Sequence, residues 1–558
     1  MKNILLKLRF LLVFMLVVSS VNAQKRTFTK ADTLRGTLTK ERTWWDVQRY
    51  EISFAPDYNA KSIKGSNKIA YKVVKPNNGA IKMQIDLQEP LVIDSVIYNG
   101  KSKLKFAKKE SVWLITVPAQ KVAAVNRVQI FYEGKVHQAK RAPWDGGFIF
   151  TQDSLKRPWM TVACQGLGAS VWFPNKDHQS DEPDKGASLT MTVPDTLVAV
   201  GNGRLVYKKD NADGTSTYKY NVNNTINNYC IIPYIGKYVN FKEVYAGEKG
   251  PLDLNYWVLD YNLNKAKTYM PDQVHKMFKA FEYWFGPYPF YEDGYQLIDA
   301  SHTGMEHQSA VSYGNNYKFG YGGRDLSGTG LGMKWDFIII HESGHEWFGN
   351  NITSNDLADM WVHEGFTNYT ETIFVDYHFG EAAGNEYNYG IRKGIRNDQP
   401  IIPPYNVNAQ GSGDMYPKGG NLLHSIRHSI NNDELFRSIL RGLNKDFYHK
   451  TVSTKQVEQY ISAKAKFDYH KVFDQYLRTT QIPVLNYYIA EGKAYYQYKN
   501  CVTGFNLPLS LKGNHQTLKI VPTTTLQSVV LKPGQEQLFN KEAVEKMYYV
   551  KVEEGKFN

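Results

Sequence analysis

The stretch His341-Glu342-Ser343-Gly344-His345 sets two imidazoles four residues apart. On a helix that spacing puts both on one face, where they can converge on a single ion. Glu342 lies beside them, near enough to carry a proton for a water at that ion but displaced from direct ligation. The preceding Ile338-Ile339-Ile340 run reads as a buried helix, which keeps such a site rigid and its dielectric low. Three fixed residue types in five also arise by accident, and His341 and His345 would then be ordinary core histidines. A second stretch weighs against that. Eighteen residues separate His345 from Glu364, and the segment Asp359 to Glu371 reads as another helix. Its Glu364 can complete a His-His-Glu set. Two neutral imidazoles and one carboxylate suit one zinc ion, and three protein ligands leave the fourth position open for water, as catalytic zinc sites do. Zinc acidifies water and polarises a carbonyl, so the chemistry expected of this constellation is hydrolysis. Asp359 reads either as the hydrogen-bond partner of a ligand histidine or as an acid favoured at a helix N-terminus.

These residues need a scaffold. The chain has 558 residues, 42% of them hydrophobic and 22% charged, which allows about three to five folded domains and excludes a disordered or collagen-like chain. Aromatic residues make up 14%, including 39 Tyr, a bias toward strands. The net charge is +13, but the basic residues are scattered with no dense run and no nucleic-acid motif, so a soluble cationic surface is expected and no nucleic-acid partner. Residues 1–23 read as a secretory signal peptide: Lys2, Lys7 and Arg9, then the apolar run Leu11 to Val18, then Val21-Asn22-Ala23 before a cut at Gln24. Export to the periplasm or the exterior follows as an expectation. No Cys follows the cut, so no lipoprotein anchor is expected. No later segment reaches about 18 uninterrupted apolar residues, so no membrane span is expected. Cys164, Cys230 and Cys501 are too few and too dispersed to be a disulfide framework, and the sequence does not choose a pair among them.

The periodicity predicts a multidomain α+β fold. From 24 to about 238 apolar residues alternate, as in Tyr50, Ile52 and Phe54 or Ile69, Tyr71 and Val73, with turns such as Asn99-Gly100, which predicts an N-terminal antiparallel β-sheet domain. Val128, Ile130 and Tyr132 repeat the period less cleanly because Phe131 intervenes. An α+β domain over 239–483 follows. Val274, Met277, Phe278, Phe281 and Trp284 predict a helix over 271–285 with Pro271 in its first turn. A strand is expected near Gln296 to Ile298, and helices dominate from about 333 to 480, one of them capped by Ser453 or Thr454. A small C-terminal β domain over 484–558 opens with a hairpin, Tyr487 to Tyr498, turning at Glu491-Gly492.

His341-Glu342-x-x-His345, the 18-residue gap and Glu364 in Trp361-Val362-His363-Glu364-Gly365-Phe366 together resemble the gluzincin aminopeptidases of the aminopeptidase N and leukotriene hydrolase type. Thr303-Gly304-Met305-Glu306-His307, with its Glu 35 positions before His341, is similar to that family's G-x-M-E-N motif. Tyr416-Pro417-Lys418-Gly419, beginning 52 positions after Glu364, is similar to its Y-x-K-G motif. Cys164-Gln165-Gly166, with Asp181-Glu182-Pro183-Asp184-Lys185 downstream, resembles the segment that lends an acid or amide to the substrate amine. The resemblance covers about residues 40–483, and the four motifs stand in the family's order. It implies a thermolysin-like catalytic domain, one zinc ion on His341, His345 and Glu364, and a hydrolase that removes N-terminal residues from peptides. Glu342 would act as general base and then acid, and Tyr416 would stabilise the oxyanion. Gly304 and Met305 would pair with the substrate backbone, and Glu306 would anchor the free α-amine, helped by Gln165 and Glu371. For Glu371 the alternative is a solvated acid on a helix face. The sequence departs from the family pattern at Thr303, where the family has Gly, and at His307, where it has Asn.

Three other readings are weighed. A thermolysin-like endopeptidase has no use for Glu306 and Gln165. A non-catalytic binding module has no use for Glu342 and Tyr416. An epoxide hydrolase of the leukotriene type needs a lipid channel that nothing in the sequence supports. The short stretch after Pro483 leads us to expect a cleft open to long peptides unless dimerisation or the Gly320–Gly332 stretch supplies a lid.

Overall fold

The structure is a computed structural model that describes residues 27–76, 79–513 and 516–555. The leader expected over residues 1–23 lies outside the described residues.

The N-terminal region is built on an eight-stranded sheet in which Trp45–Asp57 and Ser62–Val73 are central. Tyr50, Ile52, Phe54, Ile69, Tyr71 and Val73 all point into one core, as the period-2 pattern requires. Phe131 is 37% exposed while Val128, Ile130 and Tyr132 are buried, so the residue that blurred the period is an outward-facing one. The sheet is not wholly antiparallel. Trp45–Asp57 runs parallel to Ala187–Pro194, with Tyr50 opposite Ala187. The intervening chain is long enough to make the crossover that a parallel pair needs.

A four-stranded sheet follows, in which Pro158–Ala163 lies between Gly147–Gln152 and Tyr234–Gly236. Gln165 leaves the end of Pro158–Ala163. A five-stranded sheet then runs Tyr238–Gly247, Gly250–Leu259, Tyr295–Asp299, Val311–Tyr313, Gly304–Met305, so the two-residue strand Gly304–Met305 is its edge. The helix expected over 271–285 begins earlier, as Leu263–Phe285, with Pro271 inside it. Ala266 and Met270 are as buried as Val274, Met277, Phe278 and Phe281, so the apolar stripe continues through the proline and carries the helix with it.

The helices Phe337–Gly344, Trp361–Phe379, Glu381–Ile391 and Pro417–Ile430 share one hydrophobic core with the C-terminal strands. The predicted hairpin is present, with Tyr487 opposite Tyr496 and both turn residues, Glu491 and Gly492, at positive φ. A short helix, Lys541–Met547, interrupts the expected all-β segment. Tyr548 donates its hydroxyl to the His428 carbonyl at 3.0 Å and the Tyr549 amide donates to Ser425 Oγ at 2.8 Å. The C-terminal segment thus clasps the helix that begins next to Tyr416. Among the described residues no helix is long and apolar enough to cross a membrane.

Candidate active site

The helix Phe337–Gly344 starts where it does because Asp336 caps it. Asp336 Oδ1 accepts the Ile338 and Ile339 amides at 3.0 and 3.1 Å, and its other oxygen takes the hydroxyls of Tyr269 and Tyr313 at 2.9 and 2.8 Å. Every residue of this helix is buried, as the Ile run predicts. His345 closes it, and the chain turns away at Phe348 and Gly349.

Each histidine is oriented through its Nδ1. His341 Nδ1 meets Glu371 Oε1 at 2.7 Å. His345 Nδ1 lies 3.1 Å from both the Phe348 carbonyl and Thr367 Oγ1. Both Nε2 atoms therefore face one point, opposite Glu364 Oε2 at 3.9 Å from His341 and 3.3 Å from His345. That oxygen is buried with no hydrogen-bond partner, and the ligand atoms of the three residues lie within 4.8 Å of one another. Burial works to raise the Glu364 carboxyl, but His345, helped by His341 and Gln165, holds it at about 2. Burial works against a charged His345, yet Glu364, Glu306 and Glu342 raise it to about 9. A field that holds a proton so firmly favours any cation. Two imidazole nitrogens and one carboxylate oxygen in this field fit zinc.

Glu342 lies one residue past His341 and lines the cleft. Burial pushes its carboxyl up to about 7, with His341 and His345 pulling down and Glu306 and Glu364 pushing up. The edge strand runs so close to it that a methyl group on Gly304 would overlap the Glu342 carboxylate. Glu306, 2% exposed, accepts Gln165 Nε2 at 2.6 Å and the Tyr229 hydroxyl at 2.8 Å on one oxygen. Gln165 Nε2 also reaches Glu364 Oε1 at 2.9 Å, so a single amide links the carboxylate of the metal set to the carboxylate on the edge strand. The Glu306 backbone is held in turn by Asn350 Nδ2 at 2.8 Å from its carbonyl.

Tyr416 stands just before Pro417 at the start of Pro417–Ile430 and stacks on His341, ring centroids 6.0 Å apart. Its position follows from a backbone contact. A Cβ on Gly419 would lie 2.7 Å from the Gly365 Cα, so Pro417–Ile430 and Trp361–Phe379 touch where neither has a side chain. Glu364 and Tyr416 are thereby brought to the same cleft, about 470 Å³ in volume, together with Gln165, Gly304, Met305, Glu306 and Glu371. Tyr321 and Leu326 of the Gly-rich stretch also line it.

Some expectations change. Glu371 is neither solvated nor free for a substrate amine. It is 1% exposed, and its oxygens are taken by His341, Asn368 at 3.1 Å and the Tyr387 hydroxyl at 2.7 Å. It is a positioning residue for His341. Asp359 holds no ligand histidine; its carboxylate accepts the hydroxyls of Thr454 and Tyr405. His307 lies outside the metal set, with its Nδ1 on the Tyr234 hydroxyl at 2.6 Å and Ser312 Oγ at 3.1 Å. The three cysteines are free. Tyr229 and Asn350 also hold the site, through Glu306, and no motif or period in the sequence marks them.

If Glu371 fixes the His341 ring, removing it should weaken metal binding without touching a ligand. We predict that Glu371→Ala lowers zinc affinity by about 10–100-fold, read by titration against a chromophoric chelator. Unchanged affinity would show that His341 needs no such partner.

Residues 269–476 match the peptidase family M1 domain. That span carries His341, His345, Glu364 and Tyr416, and through it the chain is similar to the gluzincin aminopeptidases. It is 22% identical over 425 residues to endoplasmic reticulum aminopeptidase 1 of Rattus norvegicus, covering 72% of this chain and 44% of that protein. It is 27% identical over 231 residues to aminopeptidase N of Lactobacillus helveticus, covering 36% of this chain and 26% of that protein. The chain therefore spans less than half the length of these curated relatives. Among solved structures, the M1 zinc metallopeptidase of Deinococcus radiodurans superposes with a TM-score of 0.65 at 18% identity, covering 78% of this chain and 95% of that one. A mutant of the same protein bound to a Tyr-Ser-Ala substrate superposes with a TM-score of 0.64 at 16% identity, over the same shares of the two chains. The mixed α+β, multidomain fold matches that of these M1 metallopeptidase structures.

Proposed function

We propose that this protein is an exported zinc aminopeptidase of the gluzincin type that removes N-terminal residues from peptides. The observation that carries the reading is Glu306. A buried carboxylate, braced by Gln165 and Tyr229, has ligand-type atoms within 4.8 Å of Glu342 and His345. A free α-ammonium can pair with such a group, whereas a mid-chain amide brings no charge to repay the loss of its hydration. An endopeptidase would be obstructed by it.

His341, His345 and Glu364 are the residues that would hold one zinc ion, which when bound supplies a Lewis acid that acidifies water and polarises a carbonyl. Glu342 takes the proton of the attacking water and delivers it to the departing amine nitrogen. The Tyr416 hydroxyl donates to the oxygen that becomes negative as the carbonyl carbon turns tetrahedral. Glu306 and Gln165 fix the amine end. The Gly304–Met305 edge strand offers backbone groups to the peptide in strand fashion.

The expected signature is selectivity. Wild-type protein should hydrolyse aminoacyl anilides with a free amine and leave the acetylated forms essentially untouched. Glu306→Ala should cut kcat/KM on free amines by at least about a hundredfold and narrow the gap to acetylated substrates, since a buried charge pair is lost. An unchanged selectivity ratio would place the anchor elsewhere. The export reading rests on the leader alone. We predict that the mature protein begins at Gln24, which N-terminal sequencing of protein from the native host would check; a chain that still starts at Met1 contradicts it.

A further inference from the structure

Trp144 lines the cleft and has no part in the proposed chemistry. Trp144 is 72% exposed, the most exposed of the large apolar side chains described, yet it lines the same cleft as Glu306 and Glu342. Single exposed apolar residues are common, but this one stands in the cleft, where its indole offers a large apolar face for a bound peptide to cover.

Its backbone is fixed. Asp145 Oδ2 accepts the Lys140 and Arg141 amides at 2.7 and 2.9 Å, and the Trp144 amide bonds the Arg141 carbonyl at 3.1 Å, so residues 140–145 close into a tight turn. The turn is tied to the amine end of the site. A Cβ on Gly146 would lie 2.9 Å from the Leu167 side chain, and Leu167 belongs to a turn in which its amide bonds the Gln165 carbonyl at 2.8 Å. Gln165 in turn holds Glu306. The wall carrying Trp144 therefore stands beside the group that binds the α-amine. The amine and the side chain of a peptide's first residue share one α-carbon, so that side chain emerges next to this wall. Pro143, Met305, Gln165 and Gln410 also line the cleft, with Gln410 placed against Gly166. Apart from Glu306, which the amine occupies, none of them ionises.

We propose that Trp144 is the specificity-determining residue for the first residue of the substrate, and that its indole selects large apolar and aromatic side chains over small or acidic ones. This rests on the aminopeptidase reading above. The contact removes water from the indole only when the first side chain is long enough to reach it. One such contact discriminates by about tenfold or more.

The test separates binding from turnover. In zinc-loaded Glu342→Gln protein, calorimetry with L-phenylalanine and L-alanine should give a Kd at least about tenfold lower for phenylalanine. Adding Trp144→Ala should bring that ratio below about threefold, mainly by weakening phenylalanine, and adding Trp144→Phe should keep most of it. An unchanged melting temperature for the Trp144 variants confirms that the fold is kept. A ratio that survives Trp144→Ala, equal weakening of both amino acids, or no preference in the parent would each overturn the proposal. The aminopeptidase reading is judged separately, by turnover of phenylalanyl and alanyl anilides in protein with Glu342 intact.

Discussion

Replacing Glu342 by Gln should lower kcat by at least about a thousandfold while leaving about one zinc ion per chain. The two halves of this expectation have separate causes. Gln has the size and planarity of Glu, so it fits beside the Gly304 strand where a larger group would not. Metal content should survive because the two histidines and Glu364 complete the set, with His341 and His345 each oriented by a partner other than Glu342. Turnover should collapse because an amide cannot accept the proton of the attacking water or return it to the leaving nitrogen. KM should move little, since the substrate is held by Glu306, Gln165 and the edge strand. Metal analysis and steady-state kinetics on the same preparation decide the matter. Loss of zinc would make Glu342 a ligand, and retained turnover would remove it from the chemistry.

What the sequence made legible was chemistry fixed by short-range spacing. His341 and His345 are four residues apart on one helix, so their convergence is a property of the helix and needs no knowledge of the fold. Glu364 could be added because its own helix was readable. What was lost depended on how helices cross. The motif resemblance casts Glu371 as a substrate group or a solvated acid, yet Glu364, Thr367 and Glu371 lie at positions 0, 3 and 7 of one helix and share a face. That face meets Phe337–Gly344, so Thr367 reaches His345 and Glu371 reaches His341. The helical spacing was a usable signal. Asp359 sits in a 3-10 turn before this helix and turns instead to Thr454 and Tyr405, partners distant in sequence. Tyr229 reaches Glu306 from a short turn with no pattern of its own. In the N-terminal sheet the alternation identified strands but not the parallel pairing of Trp45–Asp57 with Ala187–Pro194, because both pairings bury every second residue alike.

Tyr416→Phe is expected to lower kcat by about 100–1,000-fold, with KM changed by less than about threefold and zinc retained. The variant isolates a single hydroxyl because everything else that places the ring is kept. Tyr416 precedes Pro417, whose ring restricts the backbone before it, and the helix that follows is pressed against Trp361–Phe379 at the Gly419–Gly365 contact. The C-terminal segment holds the same helix from its far side through Tyr548 and Tyr549. The ring itself stacks on His341, a contact that phenylalanine makes equally well. What disappears is a donor whose pKa burial and the nearby Glu364 and Glu306 push well above the usual tyrosine value, so it stays protonated and available to an oxyanion. A neutral ground-state carbonyl gains little from that donor and a developing negative charge gains much, so the loss should fall on kcat. If the change is instead confined to KM, Tyr416 binds substrate and the oxyanion is met by another group. If zinc is lost as well, the hydroxyl itself supports the metal set, since the ring's stack on His341 is kept.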